Sequence, residues 1–337
     1  MRYLPLGNSG FSTSVIGFGA WAIGGGGVWG NTDDDSESLR TLGAALDTGI
    51  NLIDTAPAYG WGHSERLIGK AVASRRDEVL LATKCGLWWD DARGSFFCPF
   101  YGKDLYRSVR PDTIAIEIEH SLRNLGTDCI DLYQLHWPAM PPEQTPVEET
   151  MAALLKLVDQ GKIRAIGACN LNAAEFDEYL ACGPLASHQF RYSMLARDAE
   201  RDLLPRCREH NVATLTYMSL EQGLLTGKIG MDHVFEDGEF RTNAGWQPWM
   251  LPENRRRVLD LLARWQPLCE RYNCTLSQLV LAWTLAQPGV THVLAGARKL
   301  KHIQETAAAA DLIIDAADLA AINCDLDQLG TPSLPQA

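Results

Sequence analysis

The segment IDLYQLHWPAMPPEQTPVEETMAALLKLVDQGKIRAIG (residues 130–167) contains a complete strand–helix–strand unit. Its ends, residues 130–135 and 163–166, are short apolar runs that predict buried strands. Between them, Thr145-Pro146-Val147-Glu148 has the pattern of a capping box with proline at the first helical position, and Gly161 predicts the end of the helix. Parallel strands joined by a helix form a right-handed crossover. The segment therefore predicts a unit of an α/β fold.

The same alternation continues along the whole chain. The runs that predict strands are residues 15–18, 51–53, 79–83, 130–135, 163–166, 187–189, 212–217 and 292–295. Eight such units in about 310 residues fit a closed (β/α)8 TIM barrel better than an open doubly wound sheet. We predict one barrel domain over residues 1–328, with an N-terminal β-hairpin turning at Gly7-Asn8-Ser9-Gly10 and a frayed tail at 329–337.

Two long connections follow strands, residues 86–110 and 220–252. A barrel places such loops on its C-terminal face, where barrel enzymes carry their sites. The first is rich in aromatic residues, and Trp88, Trp89 and Trp137 are predicted to line a substrate pocket. An aromatic wall suits either a hydrophobic carbonyl or the C–H face of a sugar.

Composition narrows the class of protein. A net charge of −12 argues against nucleic acid and anionic membranes as general partners. Nine scattered cysteines without a CxxC pair predict neither a disulfide framework nor a metal site. The N-terminus has no apolar signal core, and no apolar run reaches 18 residues, so a cytoplasmic protein is expected.

Four polar residues fall where strands end. Asp54, Lys84 and His136 follow three predicted strands, and Tyr59 lies in the loop after Asp54. An ammonium lowers the pKa of a nearby phenol, a carboxylate keeps the ammonium charged, and an imidazole can orient a carbonyl oxygen. Any one of them has an ordinary structural role more often than a catalytic one. Together they predict proton transfer coupled to carbonyl reduction or alcohol oxidation.

Several motifs carry a resemblance to a known family. GINLIDTAPAYG (49–60), ATK (82–84) and DLYQLHWP (131–138) resemble the signatures of the aldo-keto reductases, and GHSE (62–65), GKIRAIG (161–167) and GLLTGK (223–228) match further. The resemblance extends to about residue 325. Within the family, the chain is similar to the bacterial enzymes related to potassium-channel β subunits. It implies a (β/α)8 barrel, hydride transfer between NADPH and an aldehyde or ketone, and a catalytic tetrad with Tyr59 as general acid.

The resemblance also implies a cofactor site. Asn170 and Gln189 match residues that hold the nicotinamide carboxamide, Tyr217 matches a ring that stacks on it, and Arg298 suits a 2′-phosphate, which favours NADP over NAD. The implied set is Trp21, Asn170, Gln189, Tyr217, Ser219, Leu220, Gly223, Leu225, Lys228, Gly296, Arg298, His302 and Glu305. The family pattern has serine at the position of Cys169, glutamine or arginine at that of His302, and asparagine at that of Thr306. These three departures predict altered cofactor affinity.

Three alternatives compete with this interpretation. Gly17-Phe18-Gly19-Ala20-Trp21-Ala22 matches a dinucleotide fingerprint with acidic residues downstream at 33–35, but the glycines at 24–27 cannot begin the required helix. A barrel that keeps the cofactor but acts as a regulatory subunit is the second alternative. The third is an aldolase or isomerase in which Lys84 forms a Schiff base.

Overall fold

Eight parallel strands close into a barrel with helices around it. The computed structural model describes residues 1–25, 29, 34–100, 102–236, 239–243 and 245–334. The expectations that concern Gly26, Gly27, Asp33 and the tail residues 335–337 lie outside this part of the chain.

The strands and helices follow each other as the sequence predicts. In chain order the strands are β1 Tyr3–Pro5, β2 Ser12–Ser14, β3 Ile16–Gly19, β4 Leu52–Asp54, β5 Leu80–Cys85, β6 Leu87–Trp88, β7 Ser95–Phe100, β8 Lys103–Arg107, β9 Ile130–Leu135, β10 Ile163–Cys169, β11 Ser187–Arg191, β12 Ala213–Tyr217 and β13 His292–Ala295. The α-helices are α1 Asp35–Asp47, α2 His63–Val72, α3 Pro111–Leu125, α4 Val147–Asp159, α5 Ala173–Cys182, α6 Leu203–Glu209, α7 Pro252–Arg264, α8 Gln266–Arg271, α9 Leu276–Leu285, α10 Leu300–Ala308 and α11 Ala316–Leu329.

The strand order confirms the closed barrel. Around it run β10, β11, β12, β13, β3, β4, β5 and β9, each hydrogen-bonded in parallel to the next, and β9 pairs with β10 to close the ring. All eight predicted strands are present, with ends that differ by at most a few residues. An open sheet is therefore excluded. The fingerprint around Gly17 leads into a short 3₁₀ turn, Ala20–Ile23, instead of the α-helix that a dinucleotide fold requires.

The predicted start of α4 is wrong in one detail. The helix begins at Val147 with Pro146 in the N-cap position, where no side chain caps it. Thr145 lies one residue too early for its hydroxyl to reach the amide that a capping box uses.

The N-terminal hairpin closes one end of the barrel. Leu6, in its turn, is fully buried and packs with apolar side chains from the barrel strands, among them Leu52, Leu132 and Leu215. Gly7 has a φ of +54°, and a Cβ there would lie 2.2 Å from the Ala186 carbonyl oxygen, so only glycine fits. The hairpin thus leaves the C-terminal ends of the strands as the face available for a site.

Segments outside the barrel are more ordered than the sequence suggests. Residues 86–110 contain an antiparallel sheet in the order β6, β8, β7. Part of the expected frayed tail is anchored on α7, because Asn254 exchanges hydrogen bonds of 2.8 and 2.9 Å with the Ser333 backbone. Among the helices of the described residues, none has the length and apolar character to cross a membrane.

Candidate active site

An ion pair occupies the centre of the C-terminal face. Asp54 ends β4 and Lys84 lies near the end of the adjacent β5, so parallel pairing brings them together. Lys84 Nζ donates to Asp54 Oδ1 at 2.7 Å and to the Thr55 carbonyl at 2.8 Å. Lys84 is 0% exposed and Asp54 2%. Burial by itself would lower the pKa of Lys84, but the charge of Asp54 raises it above its ordinary value, so the side chain stays an ammonium.

The second oxygen of Asp54 is held by two amides. Gln134 Nε2 and Gln189 Nε2 each donate to Asp54 Oδ2 at 2.9 Å, and Gln189 also donates to Gln134 Oε1 at 3.2 Å. The role of Gln134 was not predicted from the sequence. Its signal is that it lies two residues before His136 on a buried strand, where alternation places it on the same face. Gln189, which was predicted to hold the nicotinamide carboxamide, donates its amide hydrogen to Asp54 in this structure.

Tyr59 reaches the ammonium from the loop after β4. Lys84 Nζ lies 3.4 Å from its hydroxyl. A Cβ at Gly60, which has a φ of +65°, would lie 1.8 Å from the Gly24 carbonyl oxygen, so the loop after β3 packs directly against this turn. Burial raises the pKa of Tyr59 to about 12, although the charge of Lys84 acts in the opposite direction. The expected net lowering is therefore wrong, because burial outweighs the ammonium.

His136 completes the tetrad. It follows β9, its backbone N–H donates to the Cys85 carbonyl at 2.8 Å, and its ring lies edge-on to Tyr59 with centroids 5.9 Å apart. Burial, with the positive charges of Lys84 and Arg107, holds the pKa of His136 well below its ordinary value. The imidazole is therefore neutral in the neutral pH range, and it can donate a hydrogen bond to a carbonyl oxygen without carrying charge.

Asn170 and Tyr217 lie beside the tetrad. Asn170 Nδ2 donates to the His136 carbonyl at 2.9 Å, and the Tyr217 hydroxyl donates to Asn170 Oδ1 at 2.8 Å. Cys169, at the end of β10, has its sulfur 3.8 Å from Gln134 Oε1. Its thiol thus reaches the amide group that holds Asp54.

Positive side chains gather at the start of α10. Helix α10 begins at Leu300, two residues after Arg298. Lys228, Lys299 and Lys301 surround His302 closely enough that, together with burial, they lower its pKa. Glu305 accepts a salt bridge of 2.9 Å from Lys228, and its buried Oε1 has no hydrogen-bond partner among the described residues. Thr306 is buried, and its hydroxyl donates to the His302 carbonyl at 3.1 Å.

Arg298 and Trp21 connect this region to the tetrad. Arg298 Nη1 donates to the Trp29 carbonyl at 2.7 Å. The Trp21 ring lies 5.0 Å from that of Trp29, 5.4 Å from Phe240 and 6.2 Å from Tyr59. Loops after β3 and β12 therefore meet beside Tyr59.

The loop after β12 carries other predicted cofactor residues. Ser219 is buried and donates to the Tyr192 carbonyl at 3.1 Å, and the Leu225 side chain lies in the core. Leu220 is half-buried, and its carbonyl accepts a 3.0 Å hydrogen bond from the amide of Gly223, which has a φ of +100°. Gly296 is exposed directly after β13. These residues lie on the same face of the barrel as the tetrad.

The predicted substrate tryptophans are spread over two places. Trp88 and Trp89 line a cavity with residues of α2 and α3, and no tetrad residue lines that cavity. Trp137 lies under the Arg107 guanidinium, 4.4 Å from its ring centroid, beside Phe97. Trp21, which was predicted as a cofactor residue, has its ring 6.2 Å from that of Tyr59.

The arrangement suits proton donation to a carbonyl oxygen. It combines a phenol kept neutral by burial, an ammonium 3.4 Å away and a neutral imidazole, at one mouth of the barrel. It does not suit a Schiff base, since a lysine amine must lose its proton to attack a carbonyl and Lys84 is buried against a carboxylate. The donors near α10 and the unpaired Glu305 oxygen fit a phosphate-bearing adenine dinucleotide.

Comparisons with known proteins show what the whole chain is similar to. The sequence profile of the Aldo/keto reductase family matches residues 15–324. An NADH-specific methylglyoxal reductase of Escherichia coli (strain K12) is 43% identical over 319 residues, covering 94% of this chain and 96% of the relative. The structure of the glycerol dehydrogenase AKR11B4 from Gluconobacter oxydans has a TM-score of 0.84 and 35% identity, covering 97% of this chain and 96% of that one. An aldo/keto reductase from Klebsiella pneumoniae in complex with NADP and acetate has a TM-score of 0.71 and 27% identity, covering 100% and 98% of the two chains.

Proposed function

Because the chain belongs to the aldo/keto reductase family, an oxidoreductase family that uses nicotinamide cofactors, we propose that it reduces small carbonyl compounds with NADPH and Tyr59 as general acid. The contact that carries this proposal is the Lys84 ammonium 3.4 Å from the Tyr59 hydroxyl, with Asp54 behind it. Within the tetrad, Tyr59 is the group that lies next to the Lys84 ammonium and carries a proton it can donate.

The roles of the residues follow from their protonation states. A nicotinamide cofactor, when bound, would supply the hydride. Tyr59 donates its proton to the carbonyl oxygen as negative charge develops there, and the Lys84 ammonium stabilises the resulting phenolate. His136, whose imidazole is neutral near pH 7, donates a hydrogen bond that orients the carbonyl oxygen of the substrate. Asp54 holds the ammonium in place with the help of Gln134 and Gln189.

Tyr217 and Asn170 would hold the nicotinamide, and the cationic groups around His302 would hold the adenosine phosphates. Support comes from the Tyr217–Asn170 hydrogen bond next to His136, and from the unpaired Glu305 oxygen, which suits the amino group of adenine.

A small polar substrate is favoured over a large apolar one. The Escherichia coli relative is named for methylglyoxal and the Gluconobacter oxydans structure for glycerol, both three-carbon compounds. The Trp88 and Trp89 rings, which could have formed a broad apolar wall, line a cavity to which no tetrad residue contributes.

Steady-state rates with a panel of aldehydes and ketones, followed by NADPH absorbance, test this function. We expect kcat/KM to be highest for three-carbon carbonyls such as methylglyoxal and dihydroxyacetone, and lower for benzaldehydes. Higher values for the benzaldehydes would contradict the proposed substrate class. No turnover of any carbonyl, in either direction, would contradict the proposed reaction.

Arg298 is proposed to select NADP by pairing with the 2′-phosphate. Arg298→Ala should raise the Kd of NADPH about tenfold or more, since an Arg–phosphate contact contributes roughly 1.5–3 kcal/mol, and leave the Kd of NADH nearly unchanged. Cofactor titrations followed by tryptophan fluorescence measure both, and Arg208→Ala, at an exposed position, is the matched control. Equal losses for the two cofactors would rule out this role.

The competing candidate is a preference for NADH. It is favoured by the name of the Escherichia coli relative and by Glu236 and Glu239, whose charges act on Arg298. If it is correct, the unaltered protein binds NADH more tightly than NADPH in the same titrations.

A further inference from the structure

The cavity lined by Trp88 and Trp89 lies outside the tetrad. It has a volume of about 240 Å³ and is bounded by the loop after β4, helices α2 and α3, and the sheet formed by β6, β7 and β8. None of Asp54, Tyr59, Lys84 and His136 lines it. This volume is below the usual range for drug-sized ligands, so the cavity suits a small molecule.

One wall of the cavity is aromatic. Trp61 and Trp89 have ring centroids 4.8 Å apart, and Trp88 lines the cavity beside them. Lys103 Nζ lies 4.9 Å from the Trp61 ring and 5.8 Å from the Trp89 ring. Indole faces favour a flat partner, and an ammonium above them favours a negative one.

The charged groups of the lining are mainly positive. Arg66, Lys103 and Arg123 line the cavity, and within the described part of the chain none of them forms a salt bridge. Two acids, Asp90 and Glu117, also line it. Burial raises the pKa of Glu117 well above its ordinary value, which favours its neutral form and leaves Asp90 as the opposing charge.

His120 lies in the same lining, on α3 beside Glu117 and Arg123. A positive cavity in a chain of net charge −12 is a local reversal of the general field. The cavity therefore attracts anions, although the protein as a whole is negative. A guanidinium group in the lining can pair with a carboxylate through two hydrogen bonds.

We propose that this cavity binds a small planar anion, of the aromatic carboxylate class, at a site separate from the catalytic tetrad. The ring stacks on the indoles of Trp61 and Trp89, and the carboxylate pairs with Lys103 and Arg123.

The site is positioned to influence catalysis. Pro57 and Trp61 line the cavity, and Tyr59 lies between them in the chain. Hydrogen bonds hold this turn as a unit, from Gly62 N–H to the Pro57 carbonyl at 2.7 Å and from Ser64 N–H to the Tyr59 carbonyl at 3.2 Å. A ligand that stacks on Trp61 therefore contacts the turn that holds Tyr59 in place.

Binding of 4-fluorobenzoate to the cofactor-free protein, followed by ¹⁹F NMR, tests the proposal without turnover. We expect saturable binding at one site. 4-Fluorobenzamide lacks the charge and fluoroacetate lacks the ring, so both should bind about tenfold more weakly or worse. If 4-fluorobenzamide binds as tightly as 4-fluorobenzoate, the proposed role of the cationic groups is overturned. If fluoroacetate binds as tightly, the proposed role of the aromatic wall is overturned.

Variants locate the site. Lys103→Met and Arg123→Gln should each raise the Kd of 4-fluorobenzoate about tenfold. Lys156→Met and Arg208→Gln, on exposed helix positions, are the matched controls and should leave it unchanged. Tyr59→Phe and added NADPH should also leave it unchanged. Displacement of 4-fluorobenzoate by NADPH would place the anion at the catalytic centre and overturn the proposal. So would a loss of 4-fluorobenzoate binding in Tyr59→Phe together with unchanged binding in Lys103→Met. The outcome does not depend on whether the proposed carbonyl substrate is correct.

Discussion

Replacing Tyr59 by phenylalanine should lower kcat for carbonyl reduction by about a hundred- to ten-thousand-fold, the contribution of a positioned general acid. The phenylalanine keeps the ring that packs edge-on against His136 and near Trp21, so the pocket keeps its shape. What is lost is the hydroxyl 3.4 Å from Lys84 Nζ. Rates at saturating substrate measure kcat, and fluorescence titration should give an unchanged Kd for the cofactor.

The matched control is Tyr3→Phe, which removes an exposed hydroxyl at the opposite end of the barrel and should leave kcat unchanged. Because burial raises the pKa of Tyr59 to about 12, the phenol stays protonated through the neutral range, and reduction should slow only on the alkaline side. The low pKa of His136 predicts no loss of rate through the ordinary titration range of histidine. Tyr59→Phe with turnover close to that of the unaltered protein would show that another group is the acid.

Replacing Lys84 by methionine should abolish most activity and also destabilise the fold. The substitution leaves Asp54 buried without the cation that lies 2.7 Å from it. Breaking a buried ion pair by removing one partner typically costs about 3–5 kcal/mol. We expect the free energy of unfolding at neutral pH, measured by urea denaturation, to fall by about that amount, and kcat to fall because the phenolate formed on Tyr59 loses its stabilising charge.

A double variant separates these two effects. In Asp54→Asn/Lys84→Met both charges are absent, while the asparagine carbonyl can still accept from Gln134 and Gln189, so most of the stability should return but the activity should not. Lys156→Met, at an exposed position, is the control for the loss of a lysine. A double variant as unstable as Lys84→Met would show that the uncompensated charge is not the cause.

The sequence predicted the barrel well because its strands are buried on both faces. Continuous apolar runs such as those at 130–135 and 163–166 are readable without knowledge of their partners, and the glycines and prolines between them mark the helix ends. The meeting of Asp54, Lys84 and His136 was predictable for another reason, since residues at the C-terminal ends of parallel barrel strands lie at one end of the barrel.

What the sequence did not predict depends on contacts between distant segments. Gln134 was missed because its role depends on β9 and β11 bringing two side-chain amides, those of Gln134 and Gln189, to the carboxylate of Asp54 on β4. The net direction of the Tyr59 pKa shift depends on burial, which motifs do not report. The antiparallel sheet within residues 86–110 was not predicted either, because its strands pair only with each other and carry no barrel pattern; Trp88 and Trp89 line a cavity with residues of α2 and α3.

Transfer of deuterium tests the proposed chemistry most directly. NADPH carrying deuterium at both C4 positions of the nicotinamide is incubated with methylglyoxal and the protein, and the product is examined by mass spectrometry. If the tetrad works beside a bound nicotinamide, each product molecule carries one deuterium on the carbon that was the carbonyl, and product formation largely ceases in Tyr59→Phe. Product without deuterium, formed at an undiminished rate in that variant, would contradict the account.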